Sequence, residues 1–268
     1  MENACNIIEL KNIDLGFGKG SRRRILFRGI NASVRSGQVV ALIGANGRGK
    51  STLLRTICSL IPVFNKEGRI LFNGESLNSY SGSRLSSMVA YVPSRVERVN
   101  ALSVRDMVGL NRYYKTNWCG KLRPEDEAAI LHSLKLVGLD SFIDADCSTL
   151  SDGEFQRVAI AAALAQESGA LVLDEPTAFL DIANKFNISQ LLSYIAHNEG
   201  KAVIFSTHDL QYALKYCDRI WLMTESGEPS FVEGTASEII AGGHINRLFS
   251  TPDIHFNAAN LSFERIPE

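Results

Sequence analysis

No run of apolar residues in this 268-residue chain approaches the roughly 18 to 20 that a helix needs to cross a bilayer. Its first residues, MENACNIIELKNIDLG, lack the basic start and apolar centre of a secretory signal. A soluble chain is therefore expected, and a membrane process would need other chains to supply the span. A surplus of charge is missing too. Lysine and arginine total 28 against 29 acids, a net charge of −1, so bulk charge points to no nucleic-acid partner. The five cysteines, at positions 5, 58, 119, 147 and 217, lack the short paired spacings of zinc sites. An odd, dispersed set argues against a disulfide framework and fits reduced thiols filling gaps in a core. Internal repeats and low-complexity tracts are absent.

What the chain does have is an alternation of strand and helix patterns. Asn6 to Phe17 and Ile25 to Val34 read as strands, with a turn at Ser36-Gly37. Val39 to Ile43 is wholly apolar, as in a strand buried on both faces, and Thr52 to Ile57 reads as a helix. Residues 69–74 and 88–93 are two further strands. From about 101 to 147 the pattern turns helical, with Pro124 opening a helix over Glu125 to Val137. Strands at Ala170 to Leu173 and Ala202 to Ser206 then flank a helix around Lys185 to His197. This order predicts an α/β fold with a mainly parallel sheet.

Between the strand at 39–43 and its helix lies Gly44-Ala45-Asn46-Gly47-Arg48-Gly49-Lys50-Ser51, a complete G-x-x-x-x-G-K-S pattern. Glycines let the backbone wrap a phosphate chain and turn its N–H groups inward. The helix that follows begins with unpaired N–H groups and a positive dipole end. Gly44, Asn46, Gly47, Gly49, Lys50, Ser51 and Thr52 are thus candidate nucleotide contacts. Lys50 would reach the β and γ phosphates, and the Ser51 hydroxyl would ligate Mg2+.

The strand at 170–173 ends in Asp174-Glu175. An acid at the carboxyl end of a buried parallel strand lies where such sheets bind ligands. Asp174 is the second candidate metal ligand, and Glu175 is placed to polarise an attacking water. A guanine-reading N-K-x-D run is lacking, since Asn65-Lys66 and Asn184-Lys185 continue without the aspartate.

Between the two acidic and phosphate motifs, Leu150-Ser151-Asp152-Gly153-Glu154 resembles the LSGGQ signature of the ATP-binding cassette (ABC) ATPases. Taken alone, Ser151 and Glu154 also read as a helix capping box. Thr177 to Asp181 looks like that family's D-loop, and His208, after Ser206-Thr207, like its switch histidine. Phe17 matches its adenine-stacking aromatic. The run Leu164-Ala165-Gln166 and the segments around 177–182 and 206–210 are most similar to the iron-chelate (siderophore), haem and cobalamin importers.

The resemblance implies a P-loop NTPase with a mainly parallel RecA-like core, an N-terminal antiparallel β subdomain and an inserted α-helical subdomain. It places the core at 1–94 and 158–268 and the helical subdomain at 95–157. It further implies a Mg-dependent ATPase using ATP and Mg2+, with Glu175, His208 and Lys50 catalytic. Ser151, Gly153 and Glu154 would act on ATP held by the other copy in a head-to-tail homodimer, and Asp181 would belong to the D-loop. The implied setting is the cytoplasmic face of the cell membrane, on transmembrane permease subunits served indirectly by a substrate-binding protein. The alternative is a soluble ABC ATPase serving a cytosolic partner such as an iron–sulfur scaffold. A short capped helix is expected from Thr235, and Phe249, Phe256 and Phe263 are expected to pack the tail.

Three positions depart from the family pattern. Ser94 falls where a glutamine is usual and is too short to span the same distance, leaving a water or Glu97 to take its place. Asp152 and Glu154 replace a glycine and a glutamine of the signature. Arg48 adds a charge to the phosphate loop, either solvated or facing the other copy.

Overall fold

A computed structural model describes residues 6–18, 24–80, 82–115, 121–224, 231–251 and 253–265. Cys5 and Cys119 lie outside them. The first sheet holds β1 (Asn6–Phe17), β2 (Arg24–Arg35), β4 (Arg69–Phe72) and β5 (Glu75–Ser76), antiparallel in the order β2-β1-β4-β5. Between β2 and β4 come β3 (Val39–Gly44) and helix α1 (Lys50–Ile57). A short α2 (Gly82–Ser86) leads to β6 (Val89–Val92). Three helices follow, α3 (Val104–Gly109), α4 (Pro124–Leu136) and α5 (Asp152–Ala165). The chain then alternates through β7 (Ala170–Leu173), α6 (Ile182–His197), β8 (Ala202–Ser206), α7 (Leu210–Tyr216), β9 (Arg219–Met223) and β10 (Phe231–Gly234).

The second sheet runs β10-β9-β3-β8-β7-β6, and all its pairs are parallel except β9 with β10. Its central strands are buried on both faces, and the two-residue period of a strand divides their side chains between two cores. Val40, Leu42, Val172 and Ile204 face the antiparallel sheet, together with Leu53, Leu54 and Ile57 of α1. Ala41, Ile43, Leu173 and Phe205 face the helical side, against α5 and α6. Burying each Leu or Ile contributes about 1.5–3 kcal/mol, so the sandwich is stabilised through its middle layer.

Each helix of the middle region starts on a chemical signal. The Ser103 side chain caps α3, Pro124 opens α4, and Ser151 and Glu154 form a reciprocal capping box on α5. Helix α5 runs through residue 157 without a break. After β10, α8 (Ala236–Ala241) is capped by Thr235, as expected, and α9 (His244–Phe249) leads to the hairpin β11 (Ile254–Asn257) and β12 (Ser262–Arg265). Phe263 packs edge-on against Phe249 at 6.0 Å and Phe256 at 5.4 Å, so the three phenylalanines do pin the tail.

One buried ion cluster, centred on Arg112, ties α4 to the end of α5. Arg112 is 2% exposed and Asp126 wholly buried, and both Nε and Nη2 of Arg112 donate to Asp126 Oδ1 at 2.9 and 2.7 Å. Nη1 donates to the Ala165 carbonyl at the end of α5 and to Glu167. Burial opposes ionisation of Asp126, but the Arg123 N–H and the guanidinium outweigh it and hold the carboxyl below its ordinary value.

Removing one partner of such a pair strands the other charge. Arg112→Ala is therefore expected to cost about 3–5 kcal/mol in urea unfolding at neutral pH. Because the folded carboxyl titrates low, the Asp126 contribution is complete above the ordinary carboxylate range. It is lost as pH falls through the lowered folded value, so the gap between variant and parent should close in acid.

Candidate active site

Gly44 ends β3, and a Cβ there would meet the Met223 backbone oxygen at 3.0 Å, so the strand can lie this close to β9 only as glycine. The loop then turns through Gly47 and Gly49, both left-handed at φ 74° and 92°, and α1 starts at Lys50. Asn46 and Ser51 are exposed and Thr52 half-buried at this helix start. Lys50 is buried, and its ammonium donates to the carbonyls of Gly44 at 2.8 Å and Ala45 at 3.3 Å. Burial lowers its pKa, and the nearby Glu175 and Asp174 carboxylates act against that shift.

Those two acids arrive from β7. Val92 pairs with Leu173, and Leu173 with Phe205, so the strand ends lie level. Asp174 is 2% exposed and accepts a hydrogen bond from Ser206 Oγ at 2.7 Å. The same oxygen accepts from the Glu175 N–H at 2.8 Å. Ser206 therefore fixes both acids, yet nothing in its type or spacing set it apart from the neighbouring Thr207. A hydroxyl closing an otherwise apolar buried strand was the available signal.

Glu175 itself adopts φ 48°, a left-handed conformation that costs a non-glycine residue about 1–3 kcal/mol. The turn carries its carboxylate to His208, whose Nε2 lies 2.6 Å from Glu175 Oε1. His208 follows β8, where the Thr207 N–H donates to the Leu42 carbonyl. Lys50, Asp174, Glu175 and His208 are thus brought together at the carboxyl edge of β3, β8 and β7.

Ser151, Gly153 and Glu154 sit elsewhere, at the start of α5, and make no hydrogen bond to that cluster among the described residues. Ser151 Oγ donates to Glu154 Oε2 at 2.7 Å, and the Ser151 N–H donates to the same oxygen at 2.9 Å. A Cβ on Gly153 would come within 2.6 Å of Asn184 Oδ1. Asn184 is in turn held by Asp181, which caps α6 and accepts from Asn184 N at 2.7 Å and Nδ2 at 3.0 Å. Asn184, not marked by the motifs, is the link between the signature turn and Asp181.

The surroundings are open. Phe179 and Ile182 are each 87% exposed, and Phe179 too is left-handed at φ 64°. Phe17 ends β1 half-exposed with Arg24 stacked 5.7 Å from its ring centroid. Ser94 is exposed and, with Glu97, Arg98, Asp152, Phe155 and Phe179, lines a cleft of about 610 Å3. Arg48 is half-buried in its loop.

The sequence profile of ABC transporters matches residues 27–178, which take in the phosphate loop, the α5 turn and both acids. The chain belongs to the ABC transporter family. Among its relatives, the iron(3+)-hydroxamate import ATP-binding protein of Bacillus subtilis is 31% identical over 90% of this chain and 87% of its own length. The achromobactin transport ATP-binding protein of Dickeya dadantii is 30% identical over 91% and 87%. A solved ATP-binding cassette, dimeric in a post-hydrolysis state with ADP and Pi, superposes with a TM-score of 0.71 at 27% identity over 85% of this chain and 98% of that one. This ABC chain is accordingly a P-loop ATPase that binds ATP, and none of its described helices is long and apolar enough to cross a membrane.

Ser206→Ala removes the one oxygen that serves both acids and leaves a buried carboxylate and an N–H short of partners. A loss of about 1–3 kcal/mol is expected in denaturant unfolding, without loss of helix signal in the folded state.

Proposed function

We propose that this chain is the ATP-hydrolysing subunit of an ABC importer, energising a separate permease for an iron chelate. The observation that carries the catalytic part is the 2.6 Å contact between Glu175 and His208, beside Asp174 and Lys50 on one sheet edge. Lys50 and the N–H groups of residues 45–51 bind the β and γ phosphates. Phe17 stacks the adenine on the ring face that Arg24 leaves open. Ser51 and Asp174 offer a hydroxyl and a carboxylate, the hard oxygen donors that would hold Mg2+, and that ion would supply charge neutralisation for the phosphates. Glu175 accepts a proton from the attacking water, and His208 orients that carboxylate while presenting its ring toward the γ-phosphate.

The signature residues occupy a turn apart from the phosphate loop of their own chain, and among the described residues the side chains of Ser151 and Glu154 hydrogen-bond only within that turn. A head-to-tail pair gives Ser151 and Gly153 of one copy access to the nucleotide of the other, and the dimeric relative with ADP and Pi supports that arrangement. The same pairing would cover Phe179 and Ile182. The region 95–157 then forms the helical subdomain carrying the signature, and the remainder the nucleotide-binding core. Import rather than another use of ATP is favoured by the named relatives, which serve iron(3+)-hydroxamate and achromobactin. Such a subunit works at the cytoplasmic face, on a permease fed by an external binding protein.

Glu175→Gln is expected to lower ATP turnover by about a hundredfold or more while ATP binding persists. Purified with mild detergent from its own cells, this variant should bring down a multi-helix permease. Turnover equal to the parent's would remove Glu175 as base. Recovery of cytosolic scaffold proteins alone would move the function to a soluble ATPase.

A further inference from the structure

Asp152 stands where the signature ordinarily has a glycine, and it adds a carboxylate to the first turn of α5 beside Ser151 and Gly153. That turn is the face offered to a phosphate. A second acid there, Glu154, is occupied by the Ser151 N–H and hydroxyl. The Asp152 side chain is 78% exposed, so it adds a solvent-facing negative charge to that turn. Like charges held a few ångströms apart repel appreciably even in water.

Arg98 answers this charge from a different part of the chain. Its Nη2 lies 2.5 Å from Asp152 Oδ1, and its Nη1 donates to the Leu150 carbonyl at 2.6 Å. The guanidinium also lies 5.0 Å from the centroid of the Phe155 ring. One side chain therefore holds the residues before, within and after the turn. It springs from the segment after β6 that carries Ser94, where the usual glutamine is missing.

We infer that Arg98 is a positioning residue for the signature. It cancels the Asp152 charge and fastens the start of α5 to the 94–98 segment, so that the turn can close on the γ-phosphate held by a second copy. The inference rests on the head-to-tail reading given above.

The test is ATP-driven dimerisation in the Glu175→Gln background, followed by sedimentation velocity across an ATP titration. Arg98→Ala should raise the ATP concentration for half-dimerisation about tenfold, whereas Arg98→Lys, which keeps the charge, should stay within about threefold. Adding Asp152→Gly to Arg98→Ala should bring the midpoint back toward that of the Glu175→Gln parent. Raising salt from about 50 to about 500 mM should narrow the Arg98→Ala deficit, because screening weakens repulsion but repairs no folding defect. A midpoint indifferent to Arg98, or a deficit that neither Asp152→Gly nor salt reduces, overturns the inference alone. A Glu175→Gln chain that stays monomeric at saturating ATP overturns the head-to-tail reading, and the inference with it.

Discussion

In the six-stranded sheet Leu42 pairs with Ser206 and Leu173 with Phe205, so β3, β8 and β7 release the chain at one level. The phosphate loop, the acidic pair and the histidine are close because of this parallel register and for no other reason in their sequence spacing. A slip of one residue in β7 would exchange its core-facing and sheet-facing side chains, turning Leu173 out of the core it shares with Phe205. The packing that holds the register is therefore also what holds the chemistry. Ser206 completes the arrangement, since its hydroxyl donates to the Asp174 carboxylate and accepts from the Glu175 backbone N–H in a place where water is scarce.

The polar cluster is held under tension. Glu175 and Phe179 are left-handed without being glycine, and both lie in the short segment between β7 and α6. Lys50 is desolvated while facing two carboxylates. Such features are costly in a folded protein and persist where the surroundings over-determine them. Here the restraints are the Ser206 bridge, the Ala178 N–H on the Glu175 carbonyl, and the Asp181 cap on α6.

The strands were legible because burial on two faces writes an unbroken apolar run, and β7 and β8 have the bounds that Ala170 to Leu173 and Ala202 to Ser206 predict. The first strand was legible too, although it bends at Asn12 with φ 52°, because its alternation survives the irregularity. Strand β4 is shorter than the 69–74 expected, since Asn73 and Gly74 both turn left-handed. The phosphate loop and the Asp174-Glu175 pair could be read because each is contiguous. Ser206, Asn184 and Arg98 could not. Each acts on residues far along the chain, and a hydroxyl, an amide or a guanidinium carries no local mark of its distant partner.

Helix α5 spans 14 residues, about 21 Å of rigid rod at 1.5 Å per residue. Its far end is moored by Arg112 on the Ala165 carbonyl, while its near end carries the Ser151 turn. The rod is a lever. A tilt of only about 10° about the moored end sweeps the other through roughly 4 Å, given that length. That exceeds the whole distance range of a hydrogen bond, so a small tilt is enough to make or break contact at the tip.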